Sequence, residues 1–170
     1  SLPSAVLPKC FMITPMALTF VHQQSPNART DAQLAEILAD PGFGDYFTDH
    51  MALITWTKSD GWHDAVIAPY GPFTLDPSAA VLHYGQEIFE GLKAYRHAER
   101  MQRSAARMML PQLPVDDFLA SIGELLKADH RWVPTMSGEQ SLYLRPYMFA
   151  SEAFLGVRAA ETVTYAVIAS

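Results

Sequence analysis

The chain has 170 residues, one domain's worth of polypeptide, and its 49% hydrophobic and 18% charged residues with Gly 9 and Pro 12 exclude the disordered, collagen-like and low-complexity classes. Twelve Lys+Arg against 18 Asp+Glu give a net charge of −6, which argues against nucleic acid or an anionic membrane as partner. No apolar run approaches the ~18 residues of a membrane span, and the single cysteine, Cys10, has no intramolecular disulfide partner, so the cytoplasm is the expected compartment.

Residues 1–29 read as an extended leader. Ser1 to Pro15 carries three prolines, one lysine and no helical period, and it lacks the three-part organisation of a signal peptide; Met16 is a candidate natural start. The domain proper is expected over 30–170. Thr30 and Gln33 form a capping-box pattern, and Leu34, Ile37 and Leu38 share one helical face until Pro41-Gly42. His50 to Thr57 reads as a strand, Asp60-Gly61 as the turn of a hairpin and Ala65 to Ala68 as its second arm. Gly71-Pro72 and Asp76-Pro77 bracket a short strand around Phe73 to Leu75. Leu92 to His97 reads as a further strand and Glu99 to Leu110 as a helix, with almost nothing joining them. Val115 to Ala128 is the clearest helix, with Val115, Phe118, Leu119, Ile122, Leu125 and Leu126 on one stripe. Ser137 to Glu139 is a loop, Ser141 to Ala150 alternates as a strand, and Thr162 to Ala169 is a last strand that meets the chain end without a turn. Hairpin-ordered strands with grouped helices predict an α+β fold with a mostly antiparallel sheet and helices packed on it. There are no internal repeats.

Signatures of catalysis are sparse: there is no Gly-rich phosphate loop, no His/Cys metal spacing and no nucleophile elbow. His50 and His83 read as ordinary structural or surface histidines. Arg100, Arg103 and Arg107 share a helix face, which is either a solvated basic stripe or, at Arg100 in the first turn, a phosphate anchor aided by free N–H groups and the helix dipole. Tyr143 and Arg145, two apart on a strand, project together while Leu142 and Leu144 point the other way. The pair is either a satisfied arginine on a partly wet sheet or a receiver for a substrate carboxylate. The run LHYGQEIFEGLKAYR at 82–96 is aromatic, acidic and Gly-bounded, which suits a tight turn packed by its own aromatics or, through Tyr84 and Phe89, the wall of a pocket.

That run, with GFGDYFTDHM at 42–51, RMQRSAARMMLP at 100–111, DHRWVP at 129–134, SLYLRP at 141–146 and LGV at 155–157, closely resembles the branched-chain amino-acid aminotransferases, pyridoxal-phosphate enzymes of fold type IV. The resemblance implies the small N-terminal domain of such an enzyme, reversible amino transfer between leucine, isoleucine or valine and 2-oxoglutarate, and a homodimer whose pockets borrow residues from each other. It implies that Arg100 holds the cofactor phosphate and that Tyr143 and Arg145 are polar members of the substrate pocket, Arg145 meeting the side-chain carboxylate of glutamate. Phe43, Tyr84 and Phe89 become apolar walls, and Leu155 and Val157 a loop that reaches a pocket across the dimer interface. Biosynthesis of branched-chain amino acids is the implied setting.

Two departures accompany the resemblance. The family carries roughly a dozen more residues where Ala98 meets Glu99, and its Schiff-base lysine stands in a second domain that follows the Thr162 strand. None of Lys9, Lys58, Lys93 and Lys127 stands in that motif, so this chain supplies anchoring and selection and no catalytic residue. The competing expectations are a D-amino-acid aminotransferase or an aminodeoxychorismate lyase of the same fold type, or a non-catalytic binding or assembly module.

Overall fold

The alternation of apolar side chains along two long strands sets the architecture. In the computed structural model, which describes residues 17–91, 97–134 and 141–170, the strands β1 (Val21–His22), β2 (His50–Thr57), β3 (Gly61–Pro69), β4 (Glu87–Phe89), β5 (Leu144–Ala150) and β6 (Thr162–Ala169) form one six-stranded sheet in the order β1-β3-β2-β6-β5-β4. The helices are α1 (Asp31–Ala39), α2 (Ala80–Tyr84), α3 (His97–Arg107) and α4 (Val115–Ala128), with a 3-10 turn at His130–Trp132.

The fold is α+β as expected, but the sheet is mixed and not mostly antiparallel. β1 lies parallel to β3, Val21 opposite Val66, because residues 17–29 reach the sheet edge without a hairpin. The described part of the segment before Thr30 packs on the sheet and helices. Phe20 is buried in the core, and the Leu18 N–H donates to buried Asp117 of α4 at 2.7 Å.

β6 is central, pairing antiparallel with β2 (Leu53 opposite Ala166) and with β5 (Tyr147 opposite Ala166). Its alternate residues Val163, Tyr165 and Val167 are fully buried on one face, beside Ile54, Ile67 and Met148. Met101 and Ala105 of α3 and Phe118 and Leu125 of α4 belong to the same apolar cluster. A fully buried large side chain contributes about 1.5–3 kcal/mol, so this helix-covered face dominates the stability. Tyr165 keeps its hydroxyl in the core because Ser121 of α4 lies 3.0 Å away, and burial pushes its pKa up.

Phe73 is not in a strand: it stands in a loop with its ring edge-on to Phe149 at 5.3 Å and to Tyr147 at 6.4 Å. The Asp76-Pro77 turn that follows leads into α2. The helix expected over Glu99 to Leu110 runs from His97 to Arg107, where Met109 at φ 55° ends it, so the junction of Ala98 and Glu99 falls inside α3. The expectations for 1–16, for the strand over 92–96 and for the 137–139 loop lie outside the described residues.

Candidate active site

The helix-free face of the sheet carries the candidate site at the end of β5. Arg145 faces outward and pairs with Ile168 across the ladder, and Tyr143, just before the strand, extends that ladder through its N–H to Ser170 O (2.8 Å) and its carbonyl from Ser170 N–H (3.0 Å). The strand period therefore brings Tyr143 and Arg145 together: Arg145 Nη2 donates to the Tyr143 hydroxyl at 3.4 Å. The guanidinium lies 5.1 Å from the ring centre of Phe89, on the edge strand β4, and 5.5 Å from that of Tyr143. Leu142 and Leu144 turn to the opposite face and pack on the core, as the spacing predicts.

Phe43 completes this group, edge-on to the Tyr143 ring at 5.6 Å. It is 77% exposed, carried by a loop in which Gly42 and Gly44 both have positive φ (63° and 77°). A small cavity of about 160 Å³ lies among Phe43, Phe47, Tyr143, Arg145 and Ile168. No carboxylate among the described residues pairs with Arg145. Farther along the same face, Tyr147 is held as a neutral phenol, its pKa pushed up to about 12 by burial and by neighbouring Tyr70. A single cation bordered by aromatic and aliphatic walls is suited to a small molecule with one acidic end and one apolar end.

Gly91 belongs to this group and was not singled out from the sequence. A Cβ there would stand 2.7 Å from the Tyr143 hydroxyl, so the chain passes the phenol only without a side chain. The glycine closing the EIFEG run was the available signal.

Tyr84, Leu155 and Val157, the other residues expected in the pocket, lie on two segments, α2 and the β5–β6 connection. Tyr84 ends α2 and is followed by Gly85 in the left-handed region, while Leu155 and Val157 are 63% and 96% exposed in the β5–β6 connection. α2 and this connection are tied together by Ala80 N–H to Glu152 O (2.9 Å), Phe154 N–H to Ser78 O (3.1 Å) and a bridge between Ala79 and Ala153. No hydrogen bond or ring contact among the described residues joins these residues to Phe43, Phe89, Tyr143 and Arg145.

Arg100, Arg103 and Arg107 are all exposed on α3. Arg103 and Arg107 border a shallow depression of about 440 Å³ with Glu99 and Gln112, and Arg100 does not line it. None of the three pairs with an acid among the described residues.

The histidines serve the scaffold. His50 Nε2 accepts the Ser25 N–H (3.1 Å), so Nδ1 carries the proton donated to Asp129 Oδ1 at 2.7 Å. His83 Nε2 lies 2.8 Å from Pro77 O, which makes it the donor. Lys58 and Lys127 form exposed pairs with Glu161, at the end of the β5–β6 connection, and with Glu124 of α4.

Comparison with known proteins agrees with these motifs. The branched-chain-amino-acid aminotransferase of Mycolicibacterium smegmatis is 50% identical over 166 residues, 90% of this chain and 45% of that protein. The chain is similar to the branched-chain-amino-acid aminotransferases. The Mycobacterium tuberculosis protein of the same name is 47% identical over 93% of this chain and 46% of its own length. A solved structure described as an aminotransferase, from Corynebacterium glutamicum, superposes with a TM-score of 0.51 at 14% identity, over 71% of this chain and 47% of that one, and shares the fold. No family model matches the chain. The chain spans about half the length of the relatives it matches. The 166 matched positions exceed the 90% of this chain that they take in, so that relative carries residues within the matched range that this chain lacks.

Proposed function

We propose that this chain is the N-terminal, substrate-selecting and phosphate-anchoring part of a pyridoxal-phosphate-dependent branched-chain-amino-acid aminotransferase that exchanges amino groups between leucine, isoleucine or valine and 2-oxoglutarate. The observation that carries the reading is Arg145, without an acidic partner among the described residues, bonded to Tyr143 and bordered by Phe43 and Phe89. A branched aliphatic side chain packs on those rings, and the guanidinium receives the second carboxylate when glutamate or 2-oxoglutarate occupies the same pocket. An apolar pocket discriminates by only about 1–3 kcal/mol per methylene, which allows one site to serve both substrates in turn.

The residues present fit the cofactor's phosphate, through the exposed Arg100, but not its covalent attachment, because neither described lysine lies near the site. When bound, pyridoxal phosphate supplies an electron sink for the α-carbon chemistry. The attaching lysine falls to the part of the relatives that this chain does not span. The described residues bind, orient and select.

Two features support a homodimer with shared pockets. Leu155 and Val157 are apolar and exposed, and the connection that carries them is tied to α2 and makes no hydrogen bond or ring contact with Arg145 among the described residues, as expected of residues lent to a neighbour. The domain is proposed to start before residue 30, and the residues missing relative to the family are placed between Ala98 and Glu99. A cytoplasmic enzyme acting on small molecules, with neither nucleic acid nor membrane as partner, is proposed, and the net charge of −6 supports it.

The test is transamination by the complete protein. Formation of glutamate from leucine and 2-oxoglutarate is expected, with isoleucine and valine as alternative donors. A protein that uses D-alanine and not L-leucine would instead be a D-amino-acid aminotransferase, and one that binds these acids without turnover would be a binding module.

A further inference from the structure

The β5–β6 connection is closed at its base by Ser151 N–H to Thr162 O (3.2 Å) and filled by its own side chains. Arg158 grips Glu152 with both nitrogens, Nη2 to Oε1 at 2.6 Å and Nη1 to Oε2 at 3.1 Å, and Nη1 also donates to Ala159 O at 3.0 Å. Glu152 Oε2 accepts the Glu161 N–H at 2.7 Å, so one carboxylate spans the loop from its first residues to its last. The Arg158 guanidinium lies 3.7 Å from the centre of the Phe154 ring. The other neighbour of that ring is Gly156, where an added Cβ would collide with it. The backbone carbonyl of Glu152 accepts from Ala80 N–H of α2, the helix that ends in Tyr84.

We propose that Glu152, Phe154, Gly156 and Arg158 form a brace that presets Leu155 and Val157 on a loop tied to the start of α2, and that these are positioning residues for side-chain selection. The proposal rests on the reading that Leu155 and Val157 reach a substrate pocket. Two exposed apolar side chains on a loop of this length otherwise sample many conformations, and substrate binding would have to order them. A bidentate ion pair and a stacked ring confine the loop beforehand, so the apolar contact is made without that loss. Glu152 is the hub, because its carboxylate holds the loop while its carbonyl holds α2.

The experiment uses the complete enzyme with Glu152→Gln and Gly156→Ala, the first removing the charge of the brace and the second displacing the Phe154 ring while leaving every charge in place. The expected result is a KM for leucine raised roughly three- to tenfold with kcat within about twofold, together with faster amide exchange over 154–158 in the cofactor-free protein. Faster exchange with an unchanged KM would overturn the proposal, as would equal losses in kcat and KM for Gly156→Ala at wild-type thermal stability. Leu155→Ala and Val157→Ala in the same assay separate the layers. If they leave the leucine KM unchanged, the pocket reading fails and the proposal with it; if they raise it while both brace variants do not, the brace alone fails.

Discussion

The Tyr143 hydroxyl accepts a hydrogen bond from Arg145 at 3.4 Å, and the same hydroxyl lies where a side chain on Gly91 would have to stand. One phenol thus touches both the cation of the site and the backbone of the strand-to-loop exit beside it.

For Arg145, the complete enzyme with Arg145→Ala is expected to lose roughly ten- to a hundredfold in kcat/KM for glutamate and 2-oxoglutarate, the equivalent of an ionic hydrogen bond of about 1.5–3 kcal/mol. Leucine, with an uncharged side chain, should lose far less. Half-reaction kinetics with each amino acid measure the difference, and equal losses would make Arg145 a brace for Tyr143 and Phe89.

Gly91→Ala places a methyl 2.7 Å from the Tyr143 oxygen, so the ring or the 91 backbone must shift and substrate affinity should fall. Gly91→Ala combined with Tyr143→Phe removes the colliding atom. The double variant is therefore expected to bind substrate better than the sum of the single effects allows, a coupling read from a double-mutant cycle. Strict additivity would mean that the two residues do not meet in the working enzyme.

The Ser121 and Tyr165 hydroxyls give an asymmetric pair. Ser121→Ala leaves the fully buried Tyr165 hydroxyl without its hydroxyl partner and should cost about 1–3 kcal/mol, whereas Tyr165→Phe leaves Ser121 donating to Phe118 O at 2.7 Å and should cost less. Denaturant unfolding of the two variants ranks them; the reverse order would place another acceptor at Tyr165.

The cofactor anchor is separable along α3. Arg100→Ala is expected to weaken cofactor retention on dialysis whichever amino acid is supplied, because a phosphate contact is common to both half-reactions. Arg103→Ala serves as the comparison, since Arg103 lines the depression on α3 and Arg100 does not. Retention lost with Arg103→Ala alone would move the anchor one turn along the helix.

Much of this was legible beforehand where a local rule acts alone. The Thr30–Gln33 capping box, the hairpin at Asp60-Gly61 and the helix Val115–Ala128 formed as read, because capping, turn chemistry and helical period are properties of neighbouring residues, but the stripe did not hold throughout: Val115 and Leu119 are exposed, while Asp117 and Ser121 are buried beside Phe118 and Leu125. The pairing of Tyr143 with Arg145 was legible for the same reason. Contacts between distant segments were not. Nothing near Val21 announces a parallel partner at Val66, Phe73 lies in a β-like sequence yet packs edge-on from a loop, and Gly91 matters only through Tyr143. The family motifs named Tyr84, Leu155 and Val157, but that α2 and the β5–β6 connection are tied together depends on bonds about Glu152 that no spacing predicts.

The segment before Thr30 bears on where this domain may be cut. Arg29 covers Asp49 through its N–H (3.0 Å) and its guanidinium, the Ser25 N–H fixes the His50 tautomer that satisfies Asp129, and Leu18 serves Asp117. A polypeptide begun at the first helix would strip a donor from two buried carboxylates at once, release the tautomer lock on a third and remove Phe20 from the core. Expression boundaries chosen by the onset of recognisable motifs would thus yield an aggregating fragment, and the safe border for dissection lies upstream of Leu18.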